Sequence, residues 1–246
     1  PCAWSALLFL ILGVIILLAD TGTPFRALLL WNSFSNPTSW LTIGAWTLAA
    51  ALCGNLALSL VASCCAPRRS ILRSILGVAC IIVGAATCIY TGVLLMTSSA
   101  IVSWNTVLVP ALFVLSSLNS GTAFVSCIYR LKEKAKRARR MTAWNGLTVF
   151  LTTAESVVTG LYLSWLATSS PATLPAAQLL IDGVLSLPFW LFVVGAGLVI
   201  TWAIGLLRHK DPKWLVILSA ICTLIGACAL RFLILAIGLR FPVGLI

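Results

Sequence analysis

The chain has 246 residues, of which 61% are hydrophobic and only 9% are charged, and its mean hydropathy is +1.12. Globular domains are about 25% charged, so this composition excludes an ordinary water-soluble domain and predicts a membrane protein. The formal net charge is +11. Because the basic residues lie in short clusters between apolar runs, and not on one amphipathic face, the charge does not indicate nucleic-acid binding.

Seven apolar stretches are long enough to cross a bilayer, which takes about 20 helical residues. They predict an all-α polytopic membrane protein, and each is bounded by charged residues, proline or an interfacial tryptophan. The predicted spans are 2–19, 41–63, 74–96, 107–129, 141–166, 189–207 and 214–239.

The basic residues are divided unequally between alternate connections. One side carries thirteen of the sixteen Lys and Arg residues, in clusters of three, seven and three, whereas the other side carries two. The positive-inside rule therefore assigns the basic connections to the cytoplasm. The loops 20–40, 97–106 and 167–188 are then expected outside.

The most basic connection divides the sequence into halves. We expect a first transmembrane bundle over 1–130, a basic cytoplasmic linker over 131–140 and a second transmembrane bundle over 141–246. A solvated linker of this charge attracts anionic membrane lipid.

Two ionisable residues, Glu155 and Arg231, lie well inside the predicted spans. A charge within a membrane is costly, which makes each residue a functional candidate. At about 1.5 Å rise per residue, both lie at a similar depth in the outer half of the membrane. Two interpretations stay open: a buried ion pair that fixes helix packing, or proton transfer by Glu155 with Arg231 stabilising its charged form.

Three further polar residues stand out near the outer ends or in the middle of spans. Asp20 ends the first span before a Gly and a Pro, where it either closes the helix or serves as an acidic group. Tyr90 lies below the outer end of the third span, and the nearby Gly92 leaves space beside its ring. Asn119, in the middle of the fourth span, needs a hydrogen-bond partner, and bonding between helices is the simplest explanation.

Cofactor-ligand patterns are missing from the sequence. The single histidine, His209, falls in a cytoplasmic loop, so the paired axial ligands of a membrane haem b are not available. The nine cysteines form no CxxC, and no P-loop, GxSxG, HExxH or acidic metal cluster occurs. We therefore expect no haem and no metal in this chain.

Three segments in order along the chain resemble the membrane subunits of NrfD-like and polysulfide reductase (PsrC)-like complexes, the quinone-reactive anchors of respiratory molybdoenzymes. The first is Asp-Thr-Gly-Thr-Pro-Phe-Arg at 20–26 with Asn-Pro-Thr-Ser-Trp at 36–40, although Thr23 replaces the family's usual Arg. The second is Tyr-Thr-Gly-Val-Leu-Leu at 90–95 with Trp-Asn-Thr from 104. The third is Leu-Arg-Phe-Leu-Ile-Leu-Ala-Ile-Gly at 230–238.

The family usually has eight spans, whereas this chain shows seven and begins at the one that corresponds to the second. The resemblance therefore implies a further helix before residue 1, and the absence of an initiator methionine agrees with this expectation. Such a helix would form the opposite wall of the quinone site.

The resemblance implies a subunit of a prokaryotic inner (cytoplasmic) membrane complex that functions in anaerobic respiration and electron transport. It would oxidise a quinol such as menaquinol, or reduce the quinone, near the outer face, without a redox cofactor of its own. Electrons would pass to a ferredoxin-like iron–sulfur subunit on the outer face and from there to a catalytic subunit. Tyr90 and Asp20 would be the catalytic residues, and Trp104, Asn105 and Asn119 would complete the quinone-binding set.

Two other classes of function remain open on the residues alone. A transporter of small solutes or ions would place charge along a path through the membrane, for which Glu155 and Arg231 give slight support. A purely structural anchor would leave electron transfer to another subunit.

Overall fold

The computed structural model describes residues 2–20, 39–64, 70–98, 100–132, 138–207 and 213–240. Within these ranges the regular structure is helical and contains no strand. The bounds of the long helices are α1 Cys2–Asp20, α2 Trp40–Cys64, α3 Ser70–Met96, α4 Leu108–Lys132 and α5 Ala138–Thr168. They are followed by the short α6 Leu174–Ile181, the composite α7 over 186–207 and α8 Lys213–Arg240.

Seven of the described helices are long and apolar enough to cross a membrane, and their windows match the predicted spans within a few residues. The prediction of an all-α polytopic membrane protein is therefore confirmed. The agreement has a simple cause: a lipid-embedded backbone must form its hydrogen bonds internally, so a long apolar run has to be a helix.

The chain divides into two compact units, Pro1–Leu94 and Leu95–Ile246. In the first unit, α1 packs along α2, and the indole Nε1 of Trp4 donates a 2.8 Å hydrogen bond to Ser63 Oγ. Most other α1 and α3 side chains are exposed, for example Ile71 and Ile81 at more than 70%. Such surfaces suit contact with lipid tails.

The second unit has a denser core. Helix α8 packs against α4 and α7, and α4 packs against α5. Buried side chains from α4, α5, α6, α7 and α8 meet in one apolar cluster, together with Trp104 from a short 3₁₀ turn, Val102–Trp104. This turn and α6 cover the same end of the unit.

This grouping places α4 with α5 and α8, whereas the sequence analysis assigned it to the first bundle. The reason is physical: the buried polar side chains of α4 have their partners on α5 and α8, as described below. The expected bundle boundary at 131–140 stays a prediction, and residues 133–137 of that linker lie outside the described ranges.

Helix α7 departs from regular α-helical geometry. Residues Phe189–Ile200 form i→i+5 hydrogen bonds, and α-helical bonding resumes at Thr201–Leu207. Gly197 in this wide segment lies directly against Gly226 of α8, and a Cβ added at Gly197 would lie 2.9 Å from Gly226 Cα. A hydrogen bond of 3.1 Å between the hydroxyls of Thr201 and Thr223 joins the same two helices.

We predict that Gly197→Ala destabilises the protein by about 1–3 kcal/mol, because the new methyl group meets backbone atoms that cannot rotate away. Thermal unfolding in detergent micelles measures the effect. The matched control is Gly160→Ala on α5, where an added Cβ meets nothing within 4 Å. Since alanine raises helix propensity in both variants, equal unfolding midpoints for the two would contradict the prediction.

Candidate functional site

A buried polar cluster lies in the middle of the second unit, at the contact between α4 and α5. Asn119, with no exposed surface, donates a 2.8 Å hydrogen bond from Nδ2 to Oε2 of Glu155, which is 5% exposed. Thr152 Oγ1 lies 3.2 Å from Asn119 Oδ1 and 2.8 Å from the backbone oxygen of Thr148. One N–H of the Asn119 amide is therefore bonded to Glu155, and the amide oxygen shares the single hydroxyl proton of Thr152 with the backbone oxygen of Thr148.

Glu155 has two further neighbours, Ser116 on α4 and Arg231 on α8. Ser116 lies beside the carboxyl group, but its fully buried hydroxyl makes no hydrogen bond of acceptable geometry in the described part of the chain. The guanidinium of Arg231 attracts the carboxylate electrostatically.

Arg231 is held mainly by α4. Its Nη2 donates a 2.5 Å hydrogen bond to Ser117 Oγ, and its guanidinium carbon lies 5.6 Å from the centre of the Phe113 ring. This arrangement combines a charge-assisted hydrogen bond with a cation–π contact. The structure thus brings Glu155 and Arg231 to one cluster, where each is hydrogen-bonded to a neutral α4 side chain, and a direct ion pair between them stays a prediction.

The 3₁₀ turn before α4 is fastened to the core of the second unit. Trp104 is 7% exposed, and its Nε1 donates a 2.7 Å hydrogen bond to the backbone oxygen of Ile234. Its indole ring lies directly on the backbone of Gly238, where any Cβ would overlap it. On the other side, the buried Tyr162 hydroxyl donates a 3.0 Å hydrogen bond to the backbone oxygen of Ser103.

Asn105 follows Trp104 and is exposed. It lines an open groove of about 370 Å³, together with Met96, Thr97, Thr106 and Val107. The groove offers one amide, two hydroxyl groups and two apolar side chains, a mixture that is typical of small-molecule sites. Trp104 itself faces the core, so the two neighbouring residues serve different surfaces.

Tyr90 lies in the first unit on α3, a turn and a half before the helix ends at Met96. Its ring rests against the backbone of Gly44 on α2 so closely that any Cβ there would overlap the ring. Its hydroxyl donates no hydrogen bond to another residue in the described ranges. The phenol is thus held by packing at one end of α3.

Asp20 is the last residue of α1. The side chain of Asp20 and the following loop 21–38 lie outside the described residues. Most of the first resemblance segment falls in this loop. Within the described ranges, no group of three or more His, Cys, Asp or Glu side chains is arranged to hold a metal ion.

Sequence reasoning identified the charged members of the central cluster but missed most of their partners. Ser117 and Thr152 resemble many other hydroxyl residues of the spans, and spacing alone does not say which of them meets Arg231 or Asn119. Nothing in the sequence selects Gly44, because the role of a glycine within an apolar helix becomes clear only when the neighbouring helix is known.

We predict that Asn119→Leu lowers the free energy of unfolding by about 1–3 kcal/mol, because it removes the amide that donates to the buried carboxyl group of Glu155. Adding Glu155→Leu should recover part of this loss, because the unpaired buried carboxyl group is then removed. The control is Asn55→Leu, since the Asn55 amide bonds only to Ala51 of its own helix. Thermal unfolding measures both variants. If the destabilisation of the double variant equals the sum of the two single destabilisations, the prediction that Asn119 and Glu155 are coupled is contradicted.

The described geometry can be compared with known proteins. No curated protein and no solved structure matches the chain significantly. A family model described as "Polysulphide reductase, NrfD" matches residues 2–243, which is nearly the whole length, and the resemblance inferred from the sequence is confirmed. The chain belongs to the NrfD polysulphide reductase family of membrane subunits.

Proposed function

We propose that this chain is the quinone-reactive membrane subunit of a respiratory oxidoreductase complex. A quinol, for example menaquinol, binds near the outer membrane face, loses two electrons to an iron–sulfur partner subunit and releases two protons to the outer side. In the reverse direction, the same groups supply protons as the quinone is reduced. The family match over 2–243 is the observation that carries this proposal, since a multi-pass subunit of that family fits a membrane anchor of an oxidoreductase complex.

The packing of Tyr90 supports a role as hydrogen-bond donor to a quinone carbonyl. The ring rests on a glycine and the hydroxyl bonds to no described neighbour, so a ligand meets a group that has no internal bond to break. Exposed apolar side chains on α3, among them Ile81 and Ile89, suit an isoprenoid tail lying in the membrane.

Asn105 is proposed as a quinone-binding residue on the second unit, since it lines an open groove with hydroxyl and apolar side chains beside its amide. The part proposed for Trp104 is indirect: it fixes the turn from which Asn105 projects. Asn119 has both sides of its amide engaged with Glu155 and Thr152, so the observed bonding favours helix packing over direct contact with quinone.

Proton handling is assigned to carboxyl groups. Asp20, at the end of α1, is proposed to accept a proton as quinol is oxidised. Glu155 is proposed to exchange a proton within the second unit, where the nearby Arg231 and the amide of Asn119 hold its carboxyl group in place. The alternative for Glu155 and Arg231 is a purely structural role in packing α4, α5 and α8.

The electrons need an acceptor outside this chain. We propose a ferredoxin-like iron–sulfur subunit docked on the outer loops, which passes electrons on to a catalytic subunit. The uncharged turn 97–106 supports this, because an apolar, neutral loop suits a protein interface better than open water. Val102 and Val107 of this region are exposed at 38% and 73%.

We predict that Tyr90→Phe lowers quinol oxidation by about tenfold or more, because the hydrogen bond to the quinone carbonyl is lost while the ring stays in its place. The measurement is menadiol-dependent reduction of the iron–sulfur centre in the complex purified with its partner subunits. Tyr129→Phe serves as a control, since Tyr129 lies near the end of α4 that is far from the 102–104 turn.

Three outcomes separate the functions under consideration. Loss of turnover in Tyr90→Phe but not in Tyr129→Phe supports the proposal. An intact complex with full turnover in both Tyr90→Phe and Asp20→Asn would instead indicate a structural anchor. Tight binding of a solute by a chain that purifies without any redox partner would indicate a transporter.

We further expect Glu155→Gln to assemble normally, because glutamine can still accept the hydrogen bond from Asn119, and to lose turnover by about tenfold or more through the missing proton exchange. Quinol oxidation by the purified complex measures it. Ser164→Ala on the same helix is the control, since its exposed hydroxyl bonds only within α5. Full turnover in Glu155→Gln would assign Glu155 to helix packing alone.

A further inference from the structure

We infer that Gly44 of α2 is a positioning residue for Tyr90, and that its missing side chain is what allows the phenol to reach the orientation in which it binds quinone. The inference rests on the proposed function, because it concerns the same tyrosine. It adds a residue that lies outside the three segments of family resemblance.

The contact involves the far half of the tyrosine ring. A Cβ placed on Gly44 would overlap Cζ, Cε1 and Cε2 of Tyr90, which are the hydroxyl-bearing carbon and its two neighbours. The ring therefore lies directly on the α2 backbone at the atom next to the hydroxyl. Any other residue at position 44 would force either the ring or the helix to move.

The α2 backbone at Gly44 is part of a regular helix. Gly44 is buried and lies within the first two turns of a 25-residue helix. Its carbonyl oxygen also accepts a 3.0 Å hydrogen bond from Thr47 Oγ1. The tyrosine side chain, which can change its rotamer about two bonds, is the part that we expect to be displaced by an added side chain.

A second glycine on α2 shows that this closeness is local. Ten residues after Gly44, Gly54 faces Cys80, which lies ten residues before Tyr90, as expected for antiparallel helices. A Cβ at Gly54 would lie 3.4 Å from Cys80 Sγ, an ordinary van der Waals contact. The two helices therefore tolerate a methyl group at Gly54 but not at Gly44, where the larger tyrosine ring occupies the space.

The consequence for binding is preorganisation. A ring confined between its own helix and the Gly44 backbone loses little further conformational entropy when its hydroxyl meets a ligand. Because packing holds the ring, the hydroxyl donor stays at a fixed position. Hydrogen bonds weaken when donor and acceptor are misaligned, so this fixed position favours binding.

The test uses the purified complex and the quinol-site probe 2-heptyl-4-hydroxyquinoline N-oxide, whose fluorescence is quenched on binding. We expect Gly44→Ala to weaken probe binding by about tenfold or more, and Gly54→Ala to change it by less than about twofold. In a Tyr90→Phe background, adding Gly44→Ala should weaken binding by less than about twofold more, because the hydroxyl that Gly44 positions is already absent.

Probe affinity in Gly44→Ala equal to that of the parent would overturn the inference. An equal loss of affinity from Gly44→Ala with and without the Tyr90 hydroxyl would overturn it as well.

If the Gly44→Ala complex fails to assemble, the double variant Gly44→Ala with Tyr90→Ala is the decisive measurement. Recovered assembly supports the ring overlap, whereas continued failure contradicts it. Unchanged binding in Tyr90→Phe alone would remove the proposed role of Tyr90, and this inference with it. Loss in Tyr90→Phe with parental binding in Gly44→Ala removes the inference only.

Discussion

The second unit depends on one constraint: the buried carboxyl group of Glu155 needs a hydrogen-bond donor, and Asn119 provides it. A carboxyl group at 5% exposure inside an apolar helix bundle is costly unless donors surround it. Asn119 supplies the donor, and Thr152 engages the other side of the same amide. Helices α4 and α5 consequently have one rotational setting relative to each other. Arg231, bonded to Ser117, extends the same constraint to α8.

Glycine contacts set how closely the neighbouring segments approach, in two of three cases beside a hydrogen bond between the same segments. The backbone of Gly197 contacts that of Gly226. The Trp104 indole packs against Gly238, and the Tyr90 ring packs against Gly44. The first contact is between two backbones, whereas each of the other two is between an aromatic ring and a backbone. Small residues serve this purpose in membrane bundles because lipid tails are as apolar as leucine, so that tight packing replaces the hydrophobic effect as the force between helices.

The two units differ in a way that bears on function. The second has a dense core, a covered end and charged groups tied to neutral partners. The first exposes many large apolar side chains, and its notable polar group is the phenol of Tyr90, which packs against Gly44. The proposed functional residues belong to both units, with Tyr90 in the first and Asn105 and Glu155 in the second.

The sequence by itself determined the class of protein, the number and bounds of the spans and the family, because a helix that crosses a membrane must be apolar along its whole length and leaves a pattern that can be counted. It also singled out Tyr90, Asn119, Glu155 and Arg231, since polar groups are rare in such helices. Only the tertiary structure decided their partners. Spacing defines one face of a helix but not the neighbour that meets it. The pairing of Ser117 with Arg231, of Ile234 with Trp104 and of Gly44 with Tyr90 was therefore decided only by the packing of the helices.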